Sequence, residues 1–95
     1  MIKLKPKLKT IKGERSELSV KDAILNSFES VNLLKRDEKI AGALLAEKVS
    51  QAKGDAIELK EEEENMIFQV VSSQLPLSLL SDFLKISGLI KFYEK

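Results

Sequence analysis

The chain has 95 residues, 43% hydrophobic and 33% charged, with 16 basic against 15 acidic side chains and a formal net charge of +1. That length makes one domain rather than two, with a small core and modest stability. Cysteine, histidine and tryptophan are absent, which excludes a disulfide framework and thiolate chemistry and leaves no ordinary base for a zinc site or a nucleophilic triad.

The balanced total conceals an asymmetry. Residues 1–15 hold six basic residues (Lys3, Lys5, Lys7, Lys9, Lys12 and Arg15) against Glu14 alone, a net of +5; the other eighty hold ten basic and fourteen acidic, a net of −4. This is a basic arm on a mildly acidic body. No secretory apolar run follows the basic start. The most apolar stretch, Leu75 to Tyr93, is interrupted by Asp82, Lys85 and Lys91 and falls short of the ~20 apolar residues that span a bilayer. The expectation is a cytoplasmic chain with no membrane partner.

Along the chain, Ile2, Leu4, Pro6 and Leu8 alternate with Lys3, Lys5, Lys7 and Lys9. Period two puts the apolar set on one face of an extended segment and the lysines on the other. Pro6 cannot donate to a ladder, so residues 1–14 read as an edge strand or arm, ended by a turn at Gly13. Residues 15–95 read as a single small helical domain. Its first helix starts at Ser19, an N-cap with Asp22 three residues on in a capping box. The apolar stripe Val20, Ala23, Ile24, Ser27, Phe28 and Val31 extends to Leu34 at most, with Lys35 and Arg36 at the negative dipole end.

Asp37 is the expected cap of a second helix, with Ile40, Ala41, Leu44, Leu45, Val49 and Ala52 as its buried face. Gly42, with Ala41, Ala43 and Ala46, makes a slim surface for close approach by a neighbour. Gly54 is the expected left-handed stop. A third helix starts near Lys60, its first turn filled by Glu61, Glu62, Glu63 and Glu64 against exposed N–H groups. Met66, Ile67, Val70 and Val71 follow at helical spacing. Residues 67–71 are also β-prone, but the acidic start favours helix. Pro76 fits the first turn of a fourth helix, faced by Leu79, Leu80, Phe83, Leu84 and Ile86 and stopped by Gly88. The tail Leu89 to Tyr93 reads as strand, able to pair with the arm, or as a short helical extension. The fold class is mainly α: a compact bundle of about four short helices with a minor β element from the N-terminal arm.

Nothing in this pattern points to catalysis. Consecutive glutamates on a helix point about 100° apart and cannot converge on one ion, so Glu61 to Glu64 read as a solvated first turn. The other acids fall at caps, loops or polar faces, with no pair placed for acid–base work. The glycines are scattered, with no phosphate-cradling loop. Ser72 and Ser73 read as a helix–helix connector. No enzyme activity, cofactor or metal is expected.

The lysine arm supports three readings. Its lysines simply face water, or it adds a strand to a partner or sister subunit, or Lys3, Lys5, Lys7, Lys9 and Lys12 meet phosphates. The arm lacks the aromatic residues of single-strand binders. The dense apolar face near the C-terminus either completes the core or is covered by another subunit. The candidate partner-binding residues are therefore these five lysines with Leu79, Leu80, Phe83, Phe92 and Tyr93.

The order of elements resembles a set of small, mostly uncharacterised phage and prophage proteins. The resemblance rests on the lysine-bearing start and Gly13, the segment Leu18-Ser19-Val20-Lys21-Asp22-Ala23-Ile24, then Asp37-Glu38-Lys39-Ile40 and Leu44-Leu45-Ala46-Glu47-Lys48-Val49. Ile57-Glu58-Leu59-Lys60-Glu61-Glu62-Glu63 and Pro76-Leu77 complete it. Lys60 stands where that pattern has Ser or Thr. The resemblance implies a phage origin, with a place in the host cytoplasm or the virion, and no particular activity. The reading that follows is a non-enzymatic phage-type accessory protein acting by protein–protein binding. It would be a virion assembly or structural component, or a modulator of a host protein, with self-association into a homo-oligomer. The alternative is a non-specific nucleic-acid-binding accessory protein that uses the arm.

Overall fold

Alternation at the N-terminus does what period two predicts. In a computed structural model, which describes residues 1–32 and 35–94, Ile2, Leu4 and Leu8 are buried while Lys3, Lys5, Lys7 and Lys9 face outward. The segment forms two short strands, β1 (Ile2–Lys3) and β2 (Lys7–Lys9). β2 pairs antiparallel with β3 (Arg15–Ser19), and β1 with β4 (Ala56–Ile57). β3 was not expected from sequence. Its register shifts between Lys7, opposite Ser19, and Lys9, opposite Arg15. Arg15 and Glu17 are exposed and Ser16 and Leu18 half-buried, but with Leu18 its single apolar residue the strand shows no hydrophobic period. Inside it the Leu18 N–H donates to the Ser16 hydroxyl at 3.2 Å. Gly13 turns the hairpin at φ 87°, in the left-handed region that glycine enters without steric cost.

α1 (Val20–Ser30) begins as its capping box dictates: the Asp22 N–H donates to the Ser19 hydroxyl at 3.1 Å, and the Ser19 N–H points back to the Asp22 carboxylate at 3.5 Å. A helix leaves its first amides without internal acceptors. Here the N-terminal segment supplies two: Val20 N–H donates to the Pro6 carbonyl at 2.9 Å and Lys21 N–H to the Leu4 carbonyl at 3.0 Å. The arm is thus built into the helical body through both its backbone and its apolar side chains.

α1 stops at Ser30, short of the predicted stripe end; Leu34 lies outside the described residues. Lys35 and Arg36 do not close α1. They open α2 (Arg36–Gln51), where Lys35 is the N-cap and the Glu38 carboxylate accepts its N–H at 3.1 Å. Asp37 is inside the first turn rather than at the cap, where its charge still suits the positive dipole end. α2 ends at Gln51 on an extended Ala52, and Gly54 is not left-handed.

α3 (Glu61–Gln74) starts where predicted, with the Glu63 carboxylate accepting the Lys60 N–H at 2.9 Å. The β-prone stretch is helical. α4 (Leu77–Ser87) follows Pro76, whose carbonyl accepts from Leu79 and Leu80 at 3.0 and 3.1 Å. Gly88 stops it at φ 78°. The tail is a 3-10 turn, Leu89–Phe92, so it does not pair with the arm.

Among the described residues, four helices and two strand pairs surround one core. Ile2, Leu4 and Leu8 of the N-terminal segment meet Val20 and Ile24 of α1, Ile67 and Val71 of α3, Phe83 of α4 and Leu89. The architecture is mainly α with minor β. The described residues contain no helix long and apolar enough to cross a membrane.

Candidate interaction surfaces

α2 departs most from expectation. At 100° per residue, Gly42, Leu45, Val49 and Ala52 fall together on one side of the helix, while Ile40 and Leu44 fall on the opposite side. The structure buries Gly42, Leu45 and Val49, half-buries Ala52, and leaves Ile40 and Leu44 outside, 53% and 64% exposed, with Ala41 beside them. The predicted single face of Ile40, Ala41, Leu44, Leu45, Val49 and Ala52 is therefore two faces. Both satisfy helical spacing, but a helix packed mainly on α1 covers only one. Gly42 does serve close approach: it is buried and lines a groove of about 480 Å³ with Leu25 and Phe28 of α1. On its other flank, Ala41, Leu44 and Lys48 line a shallower groove of about 390 Å³ with Glu63 and Met66 of α3.

The lysines of the arm occupy the outer side of the strands. Lys5 Nζ lies 2.8 Å from the Asp55 carboxylate, with both groups well exposed; the hydrogen bond and charge of Asp55 raise the Lys5 pKa. Lys7 Nζ donates to the Glu17 carbonyl across the β2–β3 pair at 2.8 Å. Lys3, Lys9 and Lys12 are exposed. The Lys9 N–H donates to the Asp82 carboxylate of α4 at 2.8 Å, which gives this β2 amide a partner within the fold and blunts the edge.

At the C-terminal face the predicted residues separate. Phe83 is fully enclosed in the core and is unavailable to a partner, because α4 turns its centre inward over the strands. Leu79 and Leu80 are half-buried against the same core. Phe92 packs on Phe68 with ring centroids 5.7 Å apart. Only Tyr93 projects, 76% exposed, along with Leu77, which was not singled out from sequence.

The glutamate run also splits. Glu61 and Glu62 are exposed, and Glu63 is half-buried. Glu63 accepts the Lys60 N–H and pairs with Lys48 at 3.3 Å, and its pKa is lowered by the backbone hydrogen bond first and by Lys48 second. Glu64, expected in solvent, is buried; one oxygen lies 2.8 Å from Lys91 Nζ and the other 3.8 Å from the terminal amine of Met1. It ties the start of the chain to its end. Among the described residues no group of three or more acidic side chains is placed to hold a metal ion. The Ser72 hydroxyl is buried without a hydrogen-bond partner among the described residues.

The chain matches no protein-family model, no curated protein and no solved structure.

Proposed function

We propose that this is a non-enzymatic, phage-type accessory protein that works by binding another protein, a second copy of itself or a host factor, in the host cytoplasm or the virion. The observation that carries the reading is the exposed apolar side of α2. Two large aliphatic residues on one turn stand in water there, on a helix that buries Gly42, Leu45 and Val49 on its opposite side. Burying such a side chain gains roughly 1.5–3 kcal/mol, and contiguous exposed apolar surface marks interaction sites. Leu77 and Tyr93 are two further exposed apolar side chains. The residue content supports the non-enzymatic part, since a chain without His or Cys has few groups that titrate near neutral pH.

The test is capture by the intact protein from host lysate, beside variants Ile40→Glu, Leu44→Glu and Leu77→Asp, with light scattering of each alone. The reading expects either a stoichiometric protein partner or self-association, lost in at least one variant. A wild-type protein that stays monomeric and retains no protein at stoichiometry overturns it. Salt-sensitive retention of nucleic acid, lost when Lys3, Lys5, Lys7, Lys9 and Lys12 are all changed to Gln, would replace it with the arm-based alternative.

A further inference from the structure

We infer that the exposed side of α2 is a self-complementary dimerisation surface, on which two copies pair antiparallel about a two-fold axis level with Gly42. This deepens the protein-binding reading and rests on it, by naming the surface and the partner.

Charge surrounds Ile40 and Leu44 in an order that matches a second copy of itself. Take the midpoint between these two as the centre of the face. At 100° per residue, Arg36 and Glu47 then lie about 60° and 40° to one side, and Asp37 and Lys48 about 40° and 60° to the other. All six residues are exposed. Each flank therefore carries one basic and one acidic residue at opposite ends of the apolar pair, with the order reversed between flanks.

A two-fold axis perpendicular to the helix and tangent to the face inverts the helix direction and keeps each flank on its own side. Ile40 then faces Leu44 of the second copy. On one flank Arg36 meets the copy's Glu47; on the other Asp37 meets its Lys48. Each match is offset by a single residue rise of about 1.5 Å, well within reach of these side chains. Two-fold symmetry repeats every contact, giving four opposite-charge pairs around two Ile–Leu contacts. A parallel pairing exchanges the flanks and sets Arg36 against the copy's Asp37 and Glu47 against its Lys48, so charge alone fits that orientation too. The antiparallel one is preferred because it also sets the positive end of each helix dipole beside the negative end of the other.

The charges are available. Arg36, Asp37 and Glu47 form no salt bridge among the described residues, and Lys48, which bonds Glu63 at 3.3–3.4 Å, keeps about half of its side chain exposed. The bare alanines flanking the face, Ala41 and Ala43, are exposed as well and let a second helix come close. A helix of 16 residues is only about 24 Å long, so the buried area sits at the low end for specific interfaces. The expected dissociation constant is roughly 10–500 µM.

Sedimentation velocity on the full chain up to about 500 µM tests this, with Leu44→Glu, Arg36→Glu, Glu47→Arg and the double variant, each checked for unchanged helical circular dichroism. Leu44→Glu should be monomeric. Each single charge reversal should weaken the dimer by about fivefold or more, and the double reversal should restore it to within about twofold of wild type. Arg36 and Glu47 are eleven residues apart on one helix and cannot touch within a chain, so rescue reports contact between copies. A wild-type dimer indifferent to Leu44→Glu overturns the α2 surface, a double variant as weak as the singles combined overturns the antiparallel pairing, and either leaves the protein-binding reading standing. A wild-type monomer at about 500 µM that captures a foreign protein has the same meaning. A monomer that captures nothing overturns both.

Discussion

Leu8→Ala tests whether the basic arm belongs to the core. Leu8 is fully buried in β2, on the side of the strand that faces α4 and away from the lysines. The change deletes three carbon atoms from an enclosed site and leaves a cavity. Measured Leu→Ala losses run from about 2 to 5 kcal/mol with the extent of collapse. A site held by a short strand pair relaxes more than one inside a helix bundle, so we expect about 3 kcal/mol. A chain of this length has a total stability of roughly 5–10 kcal/mol, so the variant still folds. The assay is urea unfolding followed by circular dichroism at a helix wavelength, since the chain has no tryptophan and Tyr93 is exposed. With a urea dependence of about 1 kcal/mol/M, the midpoint falls by about 3 M. Ile11→Ala, at an exposed position in the turn beyond the same strand, is the control and should change stability by no more than about 0.5 kcal/mol. A loss below about 1 kcal/mol for Leu8→Ala would mean that the arm is not packed as described, and would refute its role in closing the core and capping α1.

Other consequences follow from the termini and helix ends. Gly88→Ala meets no nearby atoms but must hold φ 78°, and should cost about 1 kcal/mol by the same urea assay. Glu64→Gln breaks a buried link to Lys91 and the Met1 amine and should cost about 1–2 kcal/mol, because the buried acceptor matters more than its half-exposed partners. The pKa of Glu63 is lowered in the folded state from 4.5, so its contribution to stability is present above that value and is lost as pH falls through the folded pKa. The urea midpoint of wild type should fall on acidification below about pH 5, and Glu63→Gln should fall less over the same range.

Local patterns were legible wherever one physical constraint decided them. The Ser19–Asp22 box, the stops at Gly13 and Gly88 and the alternation of Ile2, Leu4 and Leu8 each specify a backbone state within a few residues. What was not legible depends on distant partners. β3 alternates exposed Arg15 and Glu17 with half-buried Ser16 and Leu18, but one leucine among polar residues makes no hydrophobic period. Lys35 and Arg36 suit a helix end, yet they begin a helix, because the break after Ser30 is a matter of chain path rather than of composition. Glu64 looks like its three neighbours in composition, but it lies three and seven residues before Ile67 and Val71 on the buried side of α3, where Lys91 and Met1 meet it. On α2 the signal was present in the angles: six apolar residues spread over two sides cannot all be covered by one neighbour.

Deleting residues 1–12 would remove Ile2, Leu4 and Leu8 from the core and the carbonyl acceptors of Val20 and Lys21, so its effects would report unfolding. The role of the lysines has to be read from Lys→Gln substitutions, which leave the apolar face intact.

The central claim is that this chain acts by touching a protein through its exposed apolar surface. Cross-linking in the cells that produce it, followed by mass analysis of the linked peptides, tests that claim most directly. The account predicts links that leave the chain from residues 36–51, such as Lys39 or Lys48, to a second copy or to one defined protein. Links confined within single chains, at an abundance where the protein is readily detected, would contradict it.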